Sequence, residues 1–383
     1  MARCLIVTWD GAGNLVSTLG IARTLVADGH DVRMMGHQRI VERCGSVGTR
    51  FLPLTQPDDW DDMEDPDDFE AEMALLINDL CCSTSIANDV AAELDRERAD
   101  AVLVDCMLFS AINAALASGI PTATLFHAPY SLFRGGPLVE MFAPAVALLN
   151  TQRRELGLGP VASLADVHDA CDVALVALPS EFEPDAGDAP NVVRFGPVLD
   201  APPLAAPTGA VDVRDGSAPI VLVSLSTSQQ GQADLLQRCA DAVAGLPVRA
   251  IVTTGPSIDP ATVRCGGNTQ VVSYVPHVDL LSKISLVITH AGLGTVMAAL
   301  GAGVPLLCVP MGRDQFFNAE RTEALGAGRM LPPDAGVSMI AAAATEILHD
   351  GRFTDAAKRM AATIGSYDGA RGAADALASL ARG

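Results

Sequence analysis

Two kinds of hydrophobic pattern alternate along this chain, and the alternation runs twice. Short β-rich runs, CLIVTW (4–9), DVRMMG (31–36), AVLVD (101–105), PTATLFH (121–127) and VALVAL (173–178), read as strands. Between them, LVSTLGIARTLVADGH (15–30) and FSAINAALASG (109–119) carry apolar residues at helical spacing. Parallel neighbours need a long crossover, and a helix supplies it, so the pattern predicts right-handed βαβ units and a parallel sheet. The alternation resumes with IVLVSL (220–225), a helix over 231–244, RAIVTTG (249–255), TQVVSYV (269–275), LVITH (286–290), a helix over 294–302 and PLLCVP (305–310). Alanine-rich helical segments follow from 337 to 381.

Between the halves the pattern breaks. Pro202, Pro203, Pro207 and Pro219 stand among small residues, the composition of a linker. The division is therefore residues 1–200, a linker at 201–219, a second domain at 220–365 and a C-terminal helix at 366–383 that packs back on the first domain. The fold class is α/β, with two Rossmann-like parallel-sheet domains facing a cleft. One segment stands apart: residues 57–72 hold ten carboxylates in sixteen positions, either a solvated loop or a flap drawing a cationic ligand. The DxD at Asp59–Asp61 carries no weight as a metal motif inside such a run.

Composition narrows the function. A net charge of −21 repels phosphate-rich partners, so nucleic acid and anionic membrane are disfavoured. Nine scattered cysteines without a CxxC point to reduced thiols and a cytoplasmic location rather than a disulfide framework or zinc site. The N-terminus lacks the layout of a signal peptide, and no apolar run reaches spanning length.

The most informative stretch is 274–318, YVPHVDLLSKISLVITHAGLGTVMAALGAGVPLLCVPMGRDQFFN. A buried strand ends at His290, and Ala291-Gly292-Leu293-Gly294 then turns into a helix beginning near Thr295. Such a turn aims backbone N–H groups and a positive dipole end outward beside an imidazole, which suits an anion. A second strand ends in MGRDQ and brings Arg313, Asp314 and Gln315 to the same sheet edge. The Asp–Gln pair supplies the acceptors and donors that sugar hydroxyls need.

YVPH, THAGLGT, ALGAGVP and MGRDQFFN, in this order, resemble the nucleotide-sugar signature of the GT-B glycosyltransferases that glycosylate small molecules, bacterial natural-product enzymes among them. The resemblance implies an inverting, metal-independent hexosyl transfer from a nucleotide diphosphate donor to a hydrophobic small molecule, with no cofactor. It implies that Tyr274 and the Val275 backbone meet the base. His290, the backbone of Gly292, Gly294 and Thr295, and the Thr295 hydroxyl would hold the diphosphate. Ser226 and Thr227 of SLSTS would line its other side, and Asp314 and Gln315 would hold the donor sugar. Plant members carry a Glu on the ribose where this chain has Ala298. Without that carboxylate a deoxyribonucleotide loses nothing, so a dTDP-sugar is preferred to a UDP-sugar. HAPYSLFRGGPLVEMFAP (127–144) has the apolar and aromatic groups for a hydrophobic aglycone.

The first turn departs from the family. The usual base is a His at the first strand–helix turn, backed by an Asp ending the fourth strand. In GNLVSTLGIA that place holds Asn14, while Asp105 stands where the partner belongs. Asparagine takes no proton at neutral pH. Three arrangements stay open. The acceptor is acidic and Asn14 only positions it, with Asp105 or a water taking the proton; another histidine serves, His127 ahead of His37; or the protein is a catalytically impaired relative that binds ligand or assists a partner enzyme. A dinucleotide oxidoreductase fits less well, since Gly11-x-Gly13 is followed by Val16 where the third glycine belongs.

Overall fold

The computed structural model describes residues 1–11, 13–55, 69–184, 187–199, 211, 213, 216, 218–225, 231–276 and 280–383. The chain divides into two compact units. The first is Met1–Pro202 with Tyr367–Gly383, and the second is Pro203–Ser366.

In the first unit β1 (Arg3–Val7), β2 (Asp31–Gly36), β3 (Arg50–Pro53), β4 (Ala101–Asp105), β5 (Thr122–Phe126), β6 (Val173–Val176) and β7 (Val192–Arg194) form one parallel sheet in the order 3-2-1-4-5-6-7. The second unit repeats the plan with β8 (Ile220–Ser224), β9 (Arg249–Thr253), β10 (Thr269–Val272), β11 (Leu286–Thr289), β12 (Leu306–Cys308) and β13 (Gly328–Met330), in the order 10-9-8-11-12-13. Both are the doubly wound, Rossmann-like arrangement expected from the strand–helix alternation. The core of the first unit packs Leu5, Val7, Val102 and Val104 of the sheet against Leu108, Phe109 and Ile112. That of the second packs Val221, Val223 and Ile288 against Leu235, Leu236 and Ile340.

In each sheet the strand order reverses once, between β1 and β4 and between β8 and β11. Loops leaving the carboxyl ends on either side of such a point turn opposite ways and leave a crevice, the general binding place of open α/β sheets. The register carries the candidate residues there. Val7 pairs with Val104, and Asp105 pairs with Leu125. Trp9, Asp105 and His127 therefore leave the same edge of the first sheet.

The structure adds elements that the hydrophobic pattern does not predict. Among these are the strands β3, β7 and β13, the helix Thr84–Arg96, whose N-cap Ser83 accepts the Ile86 N–H, and the helix Gln315–Ala324. The C-terminal helix Ala370–Leu380 lies against the first helix, Gly13–Ala27, in the first unit. Arg371 pairs with Asp28, with a second bond of 3.1 Å from Nη2, and the Gly369 amide donates to the Phe195 carbonyl. All nine cysteines are free thiols. Among the described residues no single helix is long and apolar enough to cross a membrane. Tyr130–Met141 and Ala143–Glu155 together reach that length and composition, but they bend by 101° at their junction.

Candidate active site

In the first unit the centre is the Asp105 carboxylate, 2% exposed. Four groups surround it. Trp9 Nε1–H and the Met107 amide each donate to Oδ1 at 3.0 Å. Asn14 Nδ2 donates to Oδ2 at 3.0 Å. His127 Nε2 lies 3.2 Å from Oδ2 and 3.3 Å from Oδ1. Burial alone would push the Asp105 carboxyl up, but the facing imidazolium and the donors from Met107 and Asn14 outweigh it and hold it below the ordinary carboxylate range. Burial likewise opposes charge on His127, and Asp105, aided by Cys106, overcomes it and lifts the imidazole well above its usual value. His127 is the partner that reaches solvent: its side chain is 16% exposed, against 1% for that of Asp105.

Asn14 sits elsewhere than a base would. It is fully buried, and its amide is engaged on every side. Nδ2 also donates to the Trp9 carbonyl at 2.9 Å and to Thr8 Oγ1 at 3.3 Å, while Oδ1 accepts the Gly11 amide at 3.0 Å. The side chain laces the loop after β1 to the end of β4. His37, the lesser candidate, is buried too, and desolvation pulls it down to about 4. One ligand atom each from Asp105, Cys106 and His127 falls within 4.8 Å of the others. The carboxylate's lone pairs are already taken by the donors above, and burial pushes the Cys106 thiol up. Both features suit a hydrogen-bonded cluster better than a metal centre.

In the second unit β11 ends at Thr289 and delivers His290, 6% exposed. Gly292 follows as N-cap of the helix Leu293–Gly301, with no side chain capping it. A Cβ on Gly292 would stand 2.7 Å from His290 Nε2, so only glycine lets the ring lie this close to the helix entrance. Burial, with the Arg313 charge adding, lowers His290 to about 4, and the imidazole is neutral at neutral pH. The loop after β12 comes alongside. Gln315 Oε1 accepts the Met311 and Gly312 amides at 2.8 and 3.2 Å. Buried Asn318 donates both to the Ala291 carbonyl at 3.0 Å and to Asp314 Oδ2 at 2.9 Å, and so ties the two loops together. Ala291 (φ 68°) and Arg313 (φ 56°) are the two non-glycine residues in the left-handed region among the described residues. Such strain concentrates at ligand-binding loops. Tyr274 is half-buried and Val275 buried just beyond β10.

The structure thus groups Asn14, Asp105 and His127 at one switch point, and His290, Gly292, Gly294, Thr295, Asp314 and Gln315 near the other. Ser226 and Thr227 lie outside the described residues, as do 57–68 of the acidic segment and most of the linker. Trp9 and Asn318 are contributors that motif reading passes over. Trp9 is visible in the sequence only as a large aromatic leaving β1, and Asn318 only as the last letter of MGRDQFFN.

Buried imidazoles give a stability test. His168, fully buried against Phe109, Phe126 and Phe133 with Nε2 on the Cys106 carbonyl, is lowered to about 4 by desolvation, as is His290. The unfolded chain protonates these groups near pH 6.5, whereas the folded protein does so only near 4, so stability falls as pH drops through that window. Each should cost about 2 kcal/mol by pH 5. Denaturant unfolding of wild type and His168→Gln between pH 7 and 5 checks this, the variant losing less on acidification.

The model for the C-terminal domain of erythromycin biosynthesis protein CIII-like proteins matches residues 237–374. The L-demethylnoviosyl transferase of Streptomyces niveus is 27% identical over 372 residues, covering 94% of this chain and 93% of that enzyme. CalG4, the calicheamicin glycosyltransferase, superposes with a TM-score of 0.83 at 23% identity, covering 99% of this chain and 98% of its own. The glycosyltransferase VinC, solved in complex with dTDP, does so with a TM-score of 0.76 at 19% identity, covering 100% of both chains. The fold is the GT-B architecture, and in sequence the chain is similar to characterised glycosyltransferases. Within that class the chain closely resembles the sugar transferases of bacterial natural-product biosynthesis.

Proposed function

We propose that this chain transfers a hexose, with inversion and without metal, from a dTDP-sugar bound by the second unit to a hydrophobic natural-product acceptor bound by the first. His127 is the general base and Asp105 its partner. The observation that carries this reading is the 3.2 Å approach of His127 Nε2 to Asp105 at the switch point of the first sheet. It supplies the imidazole–carboxylate pair that Asn14 denies to the usual position. Asp105 holds the Nε2–H, which leaves Nδ1 to accept a proton. The acceptor oxygen attacks the anomeric carbon and the bond from that carbon to the diphosphate breaks. The acceptor's proton passes to His127, and dTDP leaves. The leaving diphosphate is stabilised by the neutral His290 N–H and the uncapped N–H groups of Gly294 and Thr295, with Asp314 and Gln315 on the sugar. Tyr274 and Val275 are assigned to the thymine, with Ser226 and Thr227 on the far side of the diphosphate.

Two observations support the donor assignment. Ala298 offers no carboxylate to a ribose 2′-hydroxyl, and VinC, of the same fold, binds dTDP. Calorimetric competition is expected to rank dTDP above UDP, and a clear preference for UDP would sink the choice of donor. Incubation of dTDP-sugars with a panel of phenolic and polyketide aglycones, read by mass spectrometry and anomeric NMR couplings, should yield the inverted glycoside. Tight dTDP binding with neither transfer nor donor hydrolysis would instead identify a catalytically impaired relative.

A further inference from the structure

We propose that Trp9 is a positioning residue of the reaction: its indole N–H fixes the Asp105 carboxylate in the orientation that faces His127, and its ring holds the loop that passes beside the pair. The inference rests on the reading of His127 as the base. Trp9 is 9% exposed, and its Nε1–H donates to Asp105 Oδ1 at 3.0 Å. An indole nitrogen only donates, so this contact holds the carboxylate as an anion and never competes for its proton. The same ring lies edge-on to His127, with centroids 6.5 Å apart and planes at 62°. Its far edge is seated on Gly11, where a Cβ would stand 2.6 Å from Trp9 Cη2. One side chain thereby touches the loop, the carboxylate's partner face and the imidazole. Packing alone would ask only for an aromatic ring, and it is the N–H that a phenylalanine lacks.

Among the described residues, the groups facing the pair are few. Cys106 adjoins both members, and Cys81, from the π-helical turn Leu76–Cys81, and His168 act on Asp105 through space. Burial pushes both thiols up and His168 down, so all three are neutral at neutral pH. The full charge that His127 meets is therefore that of Asp105, with the Cys106 sulfur as a further hydrogen-bond partner, and each donor to that carboxylate tunes it. Loss of the Trp9 donor leaves more negative charge facing His127. The imidazolium is then held more tightly and gives up its proton at higher pH.

The test uses Trp9→Phe, which keeps a ring on Gly11, beside His127→Ala. Trp9→Phe should lower kcat roughly tenfold, the share expected of one hydrogen bond to a charged group. KM for the acceptor should stay within about twofold while the acid limb of kcat/KM moves upward by about half a pH unit. A merely structural role would lower Tm and leave the limb in place. A kcat and limb like those of wild type overturn the proposal. A second readout needs no turnover. In a Trp60→Phe background Trp9 is the sole tryptophan, and its fluorescence should be quenched as His127 becomes protonated, with the titration vanishing on His127→Ala. If His127→Ala leaves activity intact while the fluorescence titration is seen, the base assignment fails and the Trp9–His127 contact stands. If His127→Ala abolishes activity and Trp9→Phe matches wild type, the Trp9 inference fails alone.

Discussion

His127→Ala is expected to reduce kcat by about 10²–10⁴, the usual share of a positioned general base, with little change in donor affinity. The pH profile makes the prediction sharper. Asp105 raises His127 well above the ordinary imidazole value, so the resting enzyme holds it as an imidazolium, which takes no proton from the acceptor. Wild-type kcat/KM should rise with pH and level off only once that raised value is passed. Asp105→Asn removes the counter-charge, so the rise should move to lower pH while kcat falls. Asn14→His, which restores the family's residue, is expected not to rescue His127→Ala. Position 14 is fully buried, and its amide is committed to Thr8, Trp9, Gly11 and Asp105, so a histidine there would break the loop rather than meet an acceptor. Retention of full activity by His127→Ala would return the proton to an acidic acceptor or a water.

His290→Ala should cost about 10²–10³ in kcat, as loss of one preorganised donor to a developing anion does. The ring is aimed by the end of β11, seated against Gly292 and kept neutral by burial. Its expected contribution is therefore a hydrogen bond in a dry setting rather than a mobile charge. The diphosphate is present before and after transfer, so dTDP affinity should weaken too, and calorimetry alongside single-turnover kinetics separates the two effects. Undiminished dTDP binding together with undiminished kcat would remove His290 from the site.

Much of this architecture can be read from the residues because buried strands announce themselves. AVLVD and IVLVS are apolar up to their last residue, and the structure buries every residue of both. The strands that escaped notice lie at the sheet edges or are only three or four residues long. Arg50–Pro53 has two exposed positions, and Val192–Arg194 has none fully buried, so neither leaves a hydrophobic signature. That the loops after β11 and β12 belong together was legible because glycines, His290 and the Asp–Gln pair stand in a recognisable order. The acceptor side was legible only in part. Residue types pointed to Asp105 and to a missing base, but the sequence does not say that Asn14 turns inward or that His127 turns toward the carboxylate. Those depend on the register of β1, β4 and β5, a property of three segments spread between Arg3 and Phe126. Asn318 escaped for a related reason, since its role exists only once two loops stand side by side.

The helix Ala370–Leu380 completes the unit whose strands are made first. On the ribosome, residues 203–366 must be translated in between, an interval on the order of 10–30 s. Throughout it the surface of the helix Gly13–Ala27 that this segment covers is bare, and Asp28 has no Arg371 to meet. The first unit therefore lacks one of its packing partners until Ala370, Ala373, Ala374 and Leu377 arrive.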